Sequence, residues 1–398
     1  MALAGPILLV GLASAARPAS TRDAPWPNGP LADPAYFPIG VWLQSPQNAA
    51  AFKALGINLF IGLWEGPTDA QLNALAAAGM PTIADQNAVG LAHRDDPTIA
   101  GWLQQDEPDN AQPDGAGGYG PCIAPAEVIA RYQVQRANDP TRPVLLNLGQ
   151  GVAWDLDRPY IGRGSACAAK WEQYPEYVKG ADIVSFDIYP VTSPYEHIQG
   201  NLWRVALGID RLREWTKGEK PVWSVIETTH IDSTALPTPH QIRAEVWMSL
   251  VHGASGLFYF VHEWEPSFRE AGLLHYPENR DAVAALNREI HALAPVLNSP
   301  SLAGGVTVSS TNSAVPIDTL VKRADGWTYV FAVAMRDAAT DARFTLASGS
   351  GAAQVEVLGE DRVIALVDGS FRDTFAGYDV HLYRVQHKAP LALPWLGR

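Results

Sequence analysis

Eight short apolar, β-branched runs, separated for the most part by segments of helical periodicity, fill the chain from Phe37 to about Leu293. They are Pro38–Trp42, Asn58–Leu63, Pro81–Ala84, Ile99–Gln105, Pro143–Leu148, Ile183–Tyr189, Pro221–Glu227 and Gly256–Val261. Strands this apolar must be covered on both faces, which is the situation of a parallel sheet wrapped by helices. Helical patterns follow at Asn48–Leu55, Asp69–Ala78, Ala126–Asn138, Leu202–Thr216, Pro239–His252 and Asp281–Ala294. Eight strands predict an α/β fold closed as a (β/α)8 TIM barrel over 37–298. The open doubly wound sheet is disfavoured because no Gly-rich, phosphate-cradling strand-to-helix turn occurs.

After Pro300 the texture changes to short β-rich runs separated by Gly, Asp and Ser turns: Gly304–Ser309, Asp318–Lys322, Trp327–Ala334, Ala342–Ala347, Ala353–Leu358 and Val380–Arg384. This predicts a small antiparallel, sandwich-like β domain over 299–387, followed by a tail at 388–398. At the other end, residues 1–16 are apolar, too short to span a bilayer, and carry the small-x-small site Ala13-Ser14-Ala15, the form of a signal peptide. Residues 17–36 read as an extended arm. The expected location is therefore secreted or periplasmic. In that compartment Cys122 and Cys167, each in a Gly-rich loop, either form a disulfide or remain two thiols.

A formal charge of −13 with no basic run excludes nucleic acid as a natural partner, and no later segment is apolar enough for a membrane span. In a barrel, chemistry gathers where the strands end. Strand four ends Asp106-Glu107-Pro108, strand six Asp187-Ile188-Tyr189, strand seven Glu227-Thr228-Thr229-His230, and strand eight His262-Glu263-Trp264. Two carboxylates, Glu107 and Glu227, thus close the fourth and seventh strands. A retaining glycoside hydrolase needs such a pair about 5–5.5 Å apart, one to attack the anomeric carbon and one to protonate the leaving oxygen.

On WLQQDEP and PVWSVIET the barrel resembles the clan of retaining glycosidases that includes cellulases, mannanases and β-galactosidases. The resemblance implies Glu107 as acid/base and Glu227 as nucleophile, Tyr189 as the tyrosine that hydrogen-bonds the nucleophile, and Trp264 as the floor of the sugar site. It implies no cofactor and an oligo- or polysaccharide substrate. One departure stands before the acid/base, where the clan usually has an Asn that contacts the sugar 2-hydroxyl. Asp106 replaces it, and an ionised Asp can only accept, or raise the pKa of Glu107 by its charge.

Other rim residues have the chemistry to bind sugar: Trp42 and Trp64 by stacking, and Gln44, Glu65, Asp85, Gln86, Asn87, Asp187 and His262 by hydrogen bonds. Glu263 and Glu265 are reserve carboxylates. The scattered histidines show no zinc-binding spacing, and no G-x-S-x-G elbow stands at a strand end. The competing class is a non-catalytic carbohydrate-binding protein on a barrel scaffold.

Overall fold

The computed structural model describes residues 35–347 and 353–386, together with Trp26, Asn28, Leu31 and Asp33. The expected signal peptide and tail, and most of the arm, lie outside these residues. All eight runs form strands: β1 (Ile39–Trp42), β2 (Leu59–Ile61), β3 (Thr82–Asp85), β4 (Ile99–Leu103), β5 (Val144–Leu148), β6 (Ile183–Phe186), β7 (Val222–Glu227) and β8 (Leu257–Phe260). They pair in order, all parallel, and β8 returns to β1, closing the barrel.

Side chains fill the interior: Leu59, Ile61, Ile83, Leu145, Ile183, Trp223, Val225 and Phe258 form one cluster there, with Trp42 stacked on Phe258. The space is fully used. A Cβ at Gly40 would come within 2.8 Å of the Phe258 Cβ, so glycine is what lets β1 pass the bulky residues of its neighbours.

Around the barrel run α1 (Ala49–Ala54), α2 (Asp69–Ala78), α3 (Ala88–Ala92), α4 (Pro125–Asn138), α5 (Tyr174–Tyr177), α6 (Arg204–Trp215), α7 (Pro239–Val251) and α8 (Pro277–Leu297). Local signals start several of them. Thr68 and Thr238 form capping boxes with Gln71 and Gln241, and Pro239 and Pro277 sit in the first turn, where the missing N–H costs nothing. The helices α3 and α5 fall outside the sequence reading because 5 and 4 residues are too few to show a period.

The second domain holds a five-stranded sheet, β10-β11-β16-β13-β14, against a three-stranded one, β15-β12-β9. Its strands are β9 (Val306–Ser310), β10 (Ile317–Ala324), β11 (Trp327–Ala334), β12 (Thr340–Leu346), β13 (Gln354–Val357), β14 (Arg362–Ala365), β15 (Ser370–Phe375) and β16 (Val380–Gln386). β14 and β15 were not anticipated. β15 carries Arg372 and Asp373 within its six residues, and β14, although it opens the apolar run Val363–Val367, is four residues long with every second one facing solvent.

The domain packs on the helices rather than standing apart. Phe331 of β11 lies 5.1 Å from Trp247 of α7, and Tyr329, Val333 and Leu382 belong to the same core as the barrel helices. His252, at the end of α7, joins the two parts: Nδ1 meets Asp210 of α6 at 2.9 Å and Nε2 meets Asp318 of β10 at 3.0 Å.

Burial alone would lower the His252 pKa, but the two carboxylates outweigh it and raise it to about 9. A histidine raised in the folded state stabilises fully below its unfolded value near 6.5 and stops doing so as pH rises through about 9. His252→Gln is therefore expected to lower Tm at pH 6–7 by a few degrees and to leave it unchanged at pH 10, as read by calorimetry. An equal loss at both values would contradict an ionic contribution.

Candidate active site

At the end of β4 the chain turns sharply. Glu107 has φ +40°, a left-handed conformation unusual for a non-glycine residue, and its N–H donates to the Asn147 carbonyl on β5 (3.0 Å). The turn brings Asp106 and Glu107 over the mouth. Asn147 Nδ2 donates to Asp106 Oδ1 (3.0 Å), and Ser185 of β6 in turn donates to Asn147 Oδ1 (2.8 Å), so the first carboxylate is oriented by two neighbouring strands.

The Glu107 carboxyl is nearly buried, lies over Gly149, and forms an ion pair with Arg163. A Cβ on Gly149 would stand 2.7 Å from Glu107 Oε1, so glycine at this position makes room for the carboxylate. Beneath it Asp109, fully buried, accepts from the Gly149 N–H (2.9 Å) and the Tyr174 hydroxyl (3.0 Å). Burial still raises its pKa to about 6, against those hydrogen bonds.

Strand β6 contributes Asp187, partly open to the mouth, whose Oδ2 accepts from the Tyr189 hydroxyl at 2.9 Å while Oδ1 has no donor among the described residues. Burial first, and then the charge of Asp106, push the Asp187 pKa up to about 8, with the Tyr189 hydrogen bond and Arg163 acting the other way. Asp106 is raised as well, by burial, against the Asn147 hydrogen bond and Arg163. Asp106, Asp187, Tyr189, Glu107 and Arg163 thus form one polar centre over β4 and β6.

Glu227 is elsewhere. It lies opposite Phe260 at the end of β7, yet its carboxylate is 0% exposed and turned into the wall. There it accepts from the N–H groups of Val191 (2.6 Å) and Thr192 (3.0 Å) and faces Glu245 of α7. Burial raises its pKa to about 7, against these hydrogen bonds. Neither Tyr189, which serves Asp187, nor Arg163 is among the groups bonded to it.

The remaining rim residues divide by what holds them. Trp64, Trp264 and Phe268 are exposed, with Trp264 and Phe268 4.8 Å apart and His262 stacked on both. His262 is neutral, its pKa lowered to about 4 by burial, and Gln44 lies 3.2 Å from its Nε2. Glu65 and Glu265 are exposed.

Several others belong to the scaffold. Trp42 is 6% exposed and fills the barrel interior, so it offers no platform. Gln86 is tied to Gln135 and Asn138 on α4, and Asn87 caps α3 and donates to the Pro67 carbonyl. Glu263 is held by Arg269 and Tyr276. The reading of the rim missed Arg163, Asn147, Asp109 and Glu245. A lone arginine beside a cysteine in GRGSAC is the one sequence signal for the first of these.

Cys122 and Cys167 form a disulfide that joins the β4–α4 loop to the loop after β5. Among the described residues no group of His, Cys, Asp and Glu could hold a metal ion, and no helix is long and apolar enough to cross a membrane.

No protein-family model matches the sequence, and no curated protein matches it. Solved structures do match. AmyP in complex with maltose superposes with a TM-score of 0.52 at 10% identity, covering 90% of this chain and 98% of that one. The α-amylase of Geobacillus thermoleovorans, complexed with acarbose, gives 0.51 at 12% identity over 89% and 99%. The likeness is one of fold. At these identities it extends to the barrel and the β domain behind it, and to no residue of the mouth.

Proposed function

We propose that the protein is a retaining β-glycosidase that cleaves an oligo- or polysaccharide at the mouth of the barrel. The observation that carries this reading is the polar centre itself, with Glu107 after β4 and Asp187 after β6, one strand apart across β5, one ion-paired and the other with its proton retained to about pH 8. An ion-paired carboxyl group and one that keeps its proton divide the labour of glycoside cleavage between them.

In this assignment Glu107, presented as a carboxylate by Arg163, attacks the anomeric carbon. Asp187 gives its proton to the departing oxygen and then takes one from the water that frees the glycosyl-enzyme. Asp106 accepts a hydrogen bond from the bound sugar, and Trp64, Trp264 and Phe268 offer faces for its C–H surface.

The alternative with Glu107 as acid/base and Glu227 as nucleophile is the one that the resemblance to the retaining clan implies. It requires Glu227 to leave two amide donors and Glu245 before it can meet a substrate. The disulfide supports an exported protein. A panel of aryl β-glycosides and polysaccharides, with the product anomer read by proton NMR, tests the function. Retained configuration in the first-formed product is expected; an inverted product overturns the retaining scheme, and glycan binding without hydrolysis makes the protein a non-catalytic binder.

A further inference from the structure

We infer that Glu245 and Glu227 share a single proton, and that this pair, by gripping the Val191 and Thr192 amides, sets the position of the segment that carries Asp187 and Tyr189. The second half of the inference rests on the proposed function, whereas the shared proton does not.

Both side chains are buried, Glu227 at 0% and Glu245 at 1% exposure, on elements that face each other across the barrel wall. The Glu227 carboxylate is served by two N–H groups. Among the described residues neither oxygen of Glu245 has a hydrogen-bond partner, and its carboxyl is near enough to Glu227 for each to act on the other's charge.

Two bare carboxylates in a dry site repel, and neither can donate. One proton between them turns the repulsion into an O–H···O⁻ bond. The amides mark Glu227 as the charged side, so the proton resides on Glu245. Burial, followed by the charge of Glu227, acts in the same sense there, with the Glu227 main-chain N–H opposing.

From the β domain, Tyr378 is the titratable group that faces the pair. Burial keeps its hydroxyl neutral, and it donates to the Gly200 carbonyl at 2.6 Å. Ser249, one turn along α7, accepts or donates across to Ser224 of β7 at 2.9 Å and fixes the helix against the strand.

Val191 and Thr192 follow Tyr189 by two and three residues. A pair that holds their amides therefore fixes the end of the segment from Asp187 to Tyr189, and Glu245 is a positioning residue that touches no substrate.

The test uses the full chain and three proteins: wild type, Glu245→Gln and Glu245→Leu. Infrared difference spectra at pH 7, wild type minus Glu245→Gln, should show the carbonyl band of one protonated carboxyl group. Glutamine keeps a donor for Glu227, so Glu245→Gln should hold the wild-type Tm and, on an aryl glycoside, kcat within about threefold. Glu245→Leu leaves Glu227 without that donor and should lose kcat by about tenfold or more with KM little changed.

Absence of the band, or equal damage from glutamine and leucine, overturns the inference. The infrared and Tm arms need no substrate, so they decide the shared proton even if the protein hydrolyses no glycoside. If Glu245→Leu fails to fold, the difference spectrum of wild type minus Glu245→Gln, in which the Asp187 carboxyl cancels, is followed with pH instead. A protonated band present at pH 7 that disappears only at higher pH upholds the shared proton, and a band already absent at pH 7 refutes it.

Discussion

Glu107→Gln is expected to lower kcat/KM by about 10⁴-fold or more on every substrate, because no glycosyl-enzyme can form, and Asp187→Asn by about 10²–10⁴-fold on substrates with poor leaving groups. The variants separate by chemistry. With Glu107→Gln, azide should restore turnover by attacking from the vacated face, giving the inverted product. Asp187→Asn should spare activated aryl glycosides, which need little protonation, and azide should then give the retained product. A 2-fluoro glycoside should label the peptide holding Glu107. Label on Glu227 would restore the assignment implied by the clan resemblance, and label on Glu65, Glu263 or Glu265 would overturn both.

The pH profile adds an independent check on the same pair. Asp187 must hold its proton to act as the acid, and its pKa is raised to about 8, so the rate should fall as pH rises through that value. The Asp106 charge contributes to the elevation. Removing it with Asp106→Asn should lower the Asp187 pKa and move the alkaline limb toward neutral pH. A limb that stays in place in both Asp106→Asn and Asp187→Asn would show that another group carries the proton.

The strands were legible because each is an apolar run long enough to see and bounded by polar rim residues, and the count of eight then fixed the closure. Positions after strand ends were legible too, which is why Asp106, Glu107, Asp187, Tyr189 and Trp264 could be named. Where their side chains turn was not. Glu227 follows β7 as expected, but two backbone amides from another loop and a glutamate on α7 claim its carboxylate, and none of these is near it in sequence. Gln86 and Asn87 look the same in sequence whether they bind a sugar or hold α4 and α3; their partners decide it. Arg163 was hidden for the reverse reason, since its loop has no regular pattern and its meaning comes from the loop opposite.

That loop is the basis of the second large effect. Cys122 and Cys167 are bonded across a separation of 45 residues, and around them the two loops are stitched together. The Ala169 N–H donates to the Asp109 carbonyl (2.8 Å), the Arg163 N–H to Asn110 Oδ1 (2.8 Å), and Asn110 Nδ2 to the Tyr160 hydroxyl (3.1 Å). The disulfide therefore holds in place the segment that delivers Arg163 to Glu107.

In the chain-entropy account a loop of this length contributes about 3–4 kcal/mol, so Cys122→Ser with Cys167→Ser should lower Tm by roughly 5 °C in a chain of this size. Activity should fall further than the fraction unfolded explains, because the native protein would keep its barrel while Arg163 is released. Arg163→Ala in the oxidised protein separates the two contributions. It should lose activity by about 10²-fold with Tm within a degree or two of wild type, since an ion pair with a partly exposed guanidinium adds little to stability. Non-reduced peptide mapping should show the two segments joined. Two alkylatable thiols in native protein expressed under oxidising conditions would remove the bridge, and an Arg163→Ala variant of full activity would remove the role assigned to the loop.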